Sequence, residues 1–317
     1  MATYLITGHR GFIFKAFTQR LLNVGHHVIG IDCLNYAADK EYRFEGNIVE
    51  HFIDVNDMKE LPACDVLIIA HAESHVDNSI AKSDPFIESN IKGTHHVLEL
   101  LKDSKLKNMS HGWAWKPPLT LYVSTDEVFG DIESGYFSEN DRHMPSNPYA
   151  ASKSAAEMLV RAWGRTYGLP YVISRCTNVY GMGQHHEKLI PHAIRALGEG
   201  RRVKVHGNGS YVRNWTHIED ACDAFETIIE KGVAGEAYHI STDDELSVRQ
   251  VVELICMTFG VNYDDSIDSS SDRSGADVRY ALDSSKLRAL GWSPKRTFAR
   301  FFEFAELDIP VLKSTLK

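Results

Sequence analysis

Thr3-Tyr4-Leu5-Ile6-Thr7-Gly8-His9-Arg10-Gly11-Phe12-Ile13-Phe14 is the stretch that decides the fold of this chain. Residues 3–7 are a short apolar run of strand formers, the glycines make a tight turn, and an amphipathic helical pattern follows to about Val24. A second apolar run, HVIGI at 27–31, ends on Asp32. Strand, glycine turn, helix and a second strand closed by an acid form the βαβ unit that binds dinucleotides. The amides at the helix start receive the pyrophosphate, so Gly8, Gly11, Phe12 and Ile13 are expected against the cofactor, and Asp32 at the adenosine ribose. An acid there repels a 2′-phosphate, and no arginine follows it before Arg43. The cofactor expected is therefore NAD rather than NADP. Phe14 stands where the fingerprint has its third glycine, so its ring must push the helix outward or swing into a neighbouring gap.

Further along, strand patterns at 49–53 and 65–70 continue the alternation. They place Asp54 and Val55 at the adenine, and Ala70 and Ala72 along the dinucleotide. Residues 85–101 have helical periodicity and contain NIKGT with Asn90, also expected at the cofactor. A glycine inside a helix costs about 1 kcal/mol against alanine, so Gly93 is expected to serve close packing. Residues 102–118, with Trp113 and Trp115, read as an irregular polar loop, and 266–274 as an exposed Ser/Asp-rich one. Alternating strands and helices imply an α/β fold with a doubly wound parallel sheet.

The run LTLYV at 119–123 is a buried strand, which brings Thr125, Asp126 and Glu127 to the sheet edge where ligands of such folds bind. Pro148 opens the next helix, so Tyr149 and Lys153 lie one turn apart on one face. A phenol of pKa about 10 is a poor base at neutral pH, and an adjacent ammonium favours its ionised form. The expectation is that Lys153 lowers the Tyr149 pKa.

The chain has 317 residues, a net charge of −9 and 43% hydrophobic content, which suits a soluble protein of one large or two smaller domains. No apolar run is long enough to span a membrane, and no signal peptide is read, so a cytoplasmic location is expected. Five scattered cysteines suggest reduced thiols. The acidic balance argues against nucleic acid as a partner, and the sixteen histidines form no familiar ligand motif, so no metal is expected.

STDEVFGD at 124–131, YAASK at 149–153, AESHVDNSI at 72–80, RCTNVYG at 175–181, HEKLIP at 186–191, GNGSYVRNW at 207–215 and RYALDSSKLRALGW at 279–292 together resemble one family. It is the nucleotide-sugar 4,6-dehydratases of the extended short-chain dehydrogenase/reductases, the dTDP-glucose 4,6-dehydratase type. The resemblance implies a Rossmann domain over residues 1–177, with segments about 212–242 returning to it. A smaller nucleotide-sugar-binding domain would occupy most of 178–317. It implies that Tyr149, helped by Thr125 and Lys153, takes the proton of the sugar 4-hydroxyl while hydride passes to NAD. Glu127 would then remove the C5 proton, and protonated Asp126 would release the 6-hydroxyl as water.

Ser74, Asn178, Glu187, Lys188, Leu189, Arg213 and Arg279 are implied as sugar and diphosphate contacts. Lys204 and His206 replace a proline and a tyrosine usual in the nucleoside pocket, and Ala276 a histidine, so dTDP and UDP stay open as carriers, as does UDP-GlcNAc. A combined dehydratase and 5-epimerase, an epimerase or decarboxylase of the same fold, and a silent dinucleotide-binding protein are the alternatives. By the same resemblance the helices starting near Pro85 and Pro148 would pair with those of a second subunit, making a homodimer through a four-helix bundle.

Overall fold

The computed structural model describes residues 1–111, 116–271 and 277–305, with side chains to 301. Trp113, Trp115 and Ala276 lie outside the described residues. The chain opens with β1 (Thr3–Thr7), α1 (Phe12–Asn23), β2 (His27–Ile31), β3 (Ile48–His51) and β4 (Val66–Ile69). Short helices α2 (Val76–Ala81) and α3 (Asp84–Phe86) lead through a π-turn, Ile87–Gly93, into α4 (Thr94–Ser110). Then follow β5 (Leu119–Thr125), α5 (Pro148–Tyr167), β6 (Tyr171–Cys176) and β7 (Asn178–Tyr180). Next come α6 (Leu189–Gly198), β8 (Val203–His206), β9 (Val212–His217), α7 (Ile218–Lys231), β10 (Ala237–Ile240) and β11 (Glu245–Ser247). The last described elements are α8 (Val248–Phe259), α9 (Tyr263–Ser266), β12 (Ile267–Ser270), α10 (Ser285–Ala289) and α11 (Phe298–Ala305).

Seven strands form one sheet in the order β10-β6-β5-β4-β1-β2-β3, and each neighbouring pair is parallel. The order reverses beside β1, which opens the crevice at the carboxyl ends of β1 and β4. The strands are apolar on both faces because both are covered. Tyr4 and Ile6 face the core shared by α1 and α7, while Leu5 faces the core shared by α4 and α5. A third core of Ile190, Ile194, Val203, Val205, Trp215, Val252 and Phe298 ties α6, α8 and α11 to a pair of small sheets, β11-β9-β7 and β12-β8.

Phe14 takes the second of its two options. Its ring enters the gap between α1 and α7, 5.2 Å from the Phe225 ring and 5.9 Å from Phe17, and only 4% of it is exposed. Gly93 behaves as expected: a Cβ there would lie 2.7 Å from His71 Nε2 and 2.9 Å from Val55 Cγ2. Two sequence expectations need correction. The stretch read as a loop from 102 remains helical to Ser110, because Leu98 and Leu101 anchor α4 in the core and its polar face looks to solvent. The stretch from 266 contains β12, which pairs with β8 from Ile267↔Val203 to Ser270↔His206. Backbone pairing there overrides an unfavourable composition.

Candidate active site

A cavity of about 700 Å³ runs from the glycine turn after β1, across the ends of β4 and β5, to the small sheets. At one end Gly8 has φ +77°, and a Cβ on it would lie 2.8 Å from His71 Cα, so only glycine lets the turn close there. The first turn of α1 has no side-chain cap, which leaves its amides open to the cavity beside Gly11, Phe12 and Ile13. Asp32 is held by two backbone N–H donors, Arg10 to Oδ2 at 3.0 Å and Leu34 to Oδ1 at 2.8 Å. Asp54, Val55, Ala70 and Ala72 also line this end. Asn90 does not line the cavity. It is buried beneath, donating to Glu73 O at 3.0 Å and Ser152 Oγ at 2.8 Å and accepting from Glu73 N at 2.8 Å. The π-turn gives it this place, under the loop rather than against the cavity.

Thr125 ends β5 and Asp126 begins a short 3-10 turn, so Thr125, Asp126 and Glu127 all face the middle of the cavity. Thr125 Oγ1 donates to Asp126 Oδ1 at 3.0 Å. Burial first, and then the Glu127 carboxylate, lift Asp126 to about 7. Glu127 is more open to the cavity. Burial raises its pKa, while Asn147, Arg213 and Lys188 pull it back and Asp277 adds to the rise. Both carboxyls are raised, but their surroundings differ, as an acid and base pair requires: Asp126 Oδ2 is buried without a hydrogen-bond partner among the described residues, and Glu127 is half-buried and accepts from Asn147.

Asn147 caps α5, its side chain accepting from the Ala150 N–H at 2.9 Å, and Pro148 sets the first turn. Tyr149 and Lys153 then point into the cavity from one helix face. The expected pKa of Tyr149 is contradicted. Burial and the nearby Glu127 push the phenol up, with Thr125 opposing. Lys153 is itself brought down to about 7 by burial, with Glu157 opposing. Its Nζ donates to Val123 O at 2.6 Å and lies 4.6 Å from the Tyr122 ring centre. Helical spacing puts the two residues on one face, but it does not show how far a desolvated ammonium loses its own proton.

Ser74, Asn178, Glu187, Lys188, Leu189, Lys204, His206 and Arg213 line the far half of the cavity. Arg213 is fixed by its own neighbours: its guanidinium donates to Asp277 O at 2.9 Å and stacks 4.3 Å from the Tyr280 ring centre. Arg279 is turned elsewhere. It forms a two-pronged pair with Glu245 at 2.9 and 3.0 Å, donates to Gly135 O at 3.0 Å, and does not line the cavity. At the rim, His185, His186 and Glu187 bring one ligand-type atom each within 4.8 Å of one another, a grouping that adjacent positions in sequence did not suggest.

Three residues around Glu127 escaped the sequence reading. Asn147 Nδ2 donates to Glu127 Oε2 at 3.1 Å, and Tyr280 Oη lies 3.4 Å from the same oxygen. Tyr280 also donates to Asp277 Oδ2 at 2.6 Å. The Asn-Pro pair at 147–148 is a legible helix start. Nothing local in the sequence brings Tyr280 across to Glu127.

Several known proteins are similar to this chain. A family model described as GDP-mannose 4,6 dehydratase matches residues 5–303. The low-salt glycan biosynthesis protein Agl12 of Haloferax volcanii is 38% identical over 306 residues, covering 93% of this chain and 94% of that protein. The dTDP-glucose 4,6-dehydratase 1 of Escherichia coli is 36% identical over 328 residues, covering 93% and 89%. Among solved structures, DesIV, a dTDP-glucose 4,6-dehydratase of Streptomyces venezuelae with NAD and TYD bound, has a TM-score of 0.88 at 34% identity, covering 99% of this chain and 100% of that one. The dTDP-glucose 4,6-dehydratase of Bacillus anthracis, in complex with NAD, has a TM-score of 0.84 at 30% identity and covers 100% of both chains.

Proposed function

The chain belongs to the nucleotide-sugar 4,6-dehydratases of the extended short-chain dehydrogenase/reductase family; from that premise we propose that it converts a nucleoside-diphosphate glucose into the 4-keto-6-deoxy sugar, with NAD as resident cofactor. The observation that carries this reading is the pair Asp126 and Glu127, one with a buried carboxyl oxygen that has no hydrogen-bond partner among the described residues and the other accepting from Asn147, sharing one cavity with Tyr149. The open amides of α1, the Gly8 turn and the carboxylate of Asp32 fit a dinucleotide. NAD, when bound, would supply the acceptor for the C4 hydride and, once reduced, the donor that returns that hydride to C6 as C5 regains a proton, so no net oxidant is consumed; in its oxidised form it would also add a positive charge to the cavity.

Tyr149 receives the proton of the sugar 4-hydroxyl; the Thr125 hydroxyl favours the phenolate it needs, and Lys153 adds to this only while it carries its own proton. The resulting 4-ketone acidifies C5, so Glu127 can take that proton. Asp126, lifted to about 7, keeps its own proton and delivers it to the departing 6-hydroxyl. Arg213 and Lys188, two of the cations that line the far half of the cavity, would meet the diphosphate. The relatives' names support dTDP-glucose as carrier and sugar, and Lys204 and His206 are the residues through which another base would be chosen.

The domain division carried into this reading is a dinucleotide half over 1–177 with 212–242, and a sugar-nucleotide half over most of the remainder. β10 supports it by joining the seven-stranded sheet and α7 by packing against it, whereas β9, at 212–217, belongs to the small sheet β11-β9-β7. The five free cysteines support a reducing compartment such as the cytoplasm. A homodimer through α4 and α5 is supported by Leu106, Met109 and Met158, large apolar side chains left exposed on those helices.

The deciding experiment incubates the enzyme with dTDP-glucose, UDP-glucose and UDP-GlcNAc in parallel and follows the products by mass spectrometry. The expected result is loss of one water from one of them, with the 4-keto-6-deoxy sugar as product. No such product from any of the three would sink the reading.

A further inference from the structure

We propose that Asp277 is a positioning residue for the elimination step, acting through Tyr280 to keep Glu127 a strong enough base for the C5 proton. The proposal rests on the dehydratase reading above and adds a residue that none of the motifs assigns.

Tyr280 has one phenolic hydrogen and two carboxyls within reach. It is 2.6 Å from Asp277 Oδ2 and 3.4 Å from Glu127 Oε2, so the hydrogen lies on the Asp277 side. The phenolic oxygen then presents a lone pair to Glu127. A lone pair facing a carboxylate disfavours its ionised form, and the same lone pair accepts from a protonated carboxyl. Glu127 becomes protonated when it takes the C5 proton, so the arrangement favours the product of that step. The C5–H bond breaks with its proton passing to Glu127, its electron pair forms the C5–C6 double bond as the hydroxyl leaves as water with the Asp126 proton, and the Tyr280 hydrogen stays on its own oxygen, donated to Asp277, throughout.

Asp277 is built for this hold. It is 3% exposed, its second oxygen accepts from Ser146 Oγ, and its backbone oxygen accepts from Arg213 at 2.9 Å. Tyr280 is 4% exposed and cannot turn freely, because the Arg213 guanidinium lies against its ring at 4.3 Å. The charged and titratable groups around Glu127 are Asp126 beside it, Tyr149 from α5, Lys188 at the start of α6, Arg213 from β9, and Asp277 with Tyr280. Among these, Lys188 and Arg213 pull its pKa down and Asp277 pushes it up.

The test uses the full-length enzyme with its bound NAD, the nucleotide sugar that the product assay finds to be turned over, and the variants Asp277→Asn and Tyr280→Phe. Single-turnover runs over a range of pH follow reduction of the nicotinamide and loss of water separately. Either variant should leave the reduction rate within about twofold, slow water loss about three- to tenfold, and move its acidic limb down by about one pH unit. The alkaline limb, which belongs to Asp126, should stay in place. The double variant should be no slower than the worse single one, since both act through one hydrogen. An unmoved acidic limb in Tyr280→Phe, or effects that multiply in the double variant, would overturn the proposal. Equal slowing of both steps would also overturn it, leaving only a structural role. Should Asp277→Asn not fold, the limb of Tyr280→Phe decides alone. Absence of nicotinamide reduction in the unaltered enzyme would instead count against the dehydratase reading itself.

Discussion

The hydroxyl of Thr125 donates to one oxygen of the Asp126 carboxyl at 3.0 Å, while the other oxygen, shut away from solvent, has no partner among the described residues. A carboxylate so placed would leave a charged oxygen unsolvated, so the neutral acid is favoured and the proton sits where a leaving hydroxyl can take it. Water loss should therefore weaken as pH rises through about 7, where Asp126 gives up its proton, by about tenfold per unit beyond it. Asp126→Asn should still permit reduction of the nicotinamide but slow water loss by about a hundredfold or more. Normal product formation by that variant would contradict its role.

Tyr149 yields a prediction that reverses the first expectation. Burial and Glu127 hold the phenol up, so ionisation calls for positive charge beyond Lys153. Tyrosinate absorbance, taken against Tyr149→Phe as blank, should show a phenol that ionises only well above pH 10 in cofactor-free enzyme and at lower pH once NAD is added. The same titration with and without NAD would contradict this account.

Phe14 is a packing residue in the place of a cofactor residue. Phe14→Ala should remove its contacts with Phe17 and Phe225 and cost about 3–5 kcal/mol in urea unfolding. NAD retained after gel filtration should be unchanged, since alanine keeps the backbone amide that Phe14 contributes to the cavity lining while only the packed ring is lost. Lost NAD with unchanged stability would reverse that assignment.

Most of the sheet was legible because β1, β2, β4, β5 and β6 are separate, largely apolar runs, and the run at 3–14 sets β1, the turn and α1 in one reading; β10, Ala-Tyr-His-Ile at 237–240, was not read as a strand. The catalytic segment was legible for the same reason: a strand end and a helix start place side chains by short-range geometry alone. What escaped was long-range. Tyr280 and Asp277 reach Glu127 from some 150 residues away, and β12 pairs with β8 against its own composition. The roles of the arginines were hidden too, because a guanidinium's partner is settled by which carboxylate the fold brings near it, here Glu245 for Arg279.

Arg213 and Arg279 should accordingly separate in kinetics. Arg213 lines the cavity, and its loss should raise KM for the nucleotide sugar by about tenfold or more. Arg279→Ala should change KM by less than about threefold, because its guanidinium is spent on Glu245 and Gly135. A large KM effect at Arg279 alone would show that this pair opens to admit the diphosphate.

Beneath the catalytic helix, Glu157 and Arg175 form a buried pair, with Arg175 donating to the two carboxyl oxygens at 2.6 and 3.1 Å. Burial works against the Glu157 charge, but Arg175 and then His143 and Arg161 hold its pKa below the usual range. A depressed folded pKa means that the stabilisation is whole above the unfolded carboxylate's range and is lost as pH falls through the folded value. Arg175→Ala would leave Glu157 charged and poorly compensated, at a cost of about 3–5 kcal/mol near neutral pH. Urea unfolding measured at pH 7 and again near pH 3 should show that cost shrinking on acidification, as Glu157 takes a proton in the variant. A cost that is the same at both pH values would mean that the loss comes from Arg175 packing against Phe129, 4.8 Å from its ring centre, and not from the ion pair.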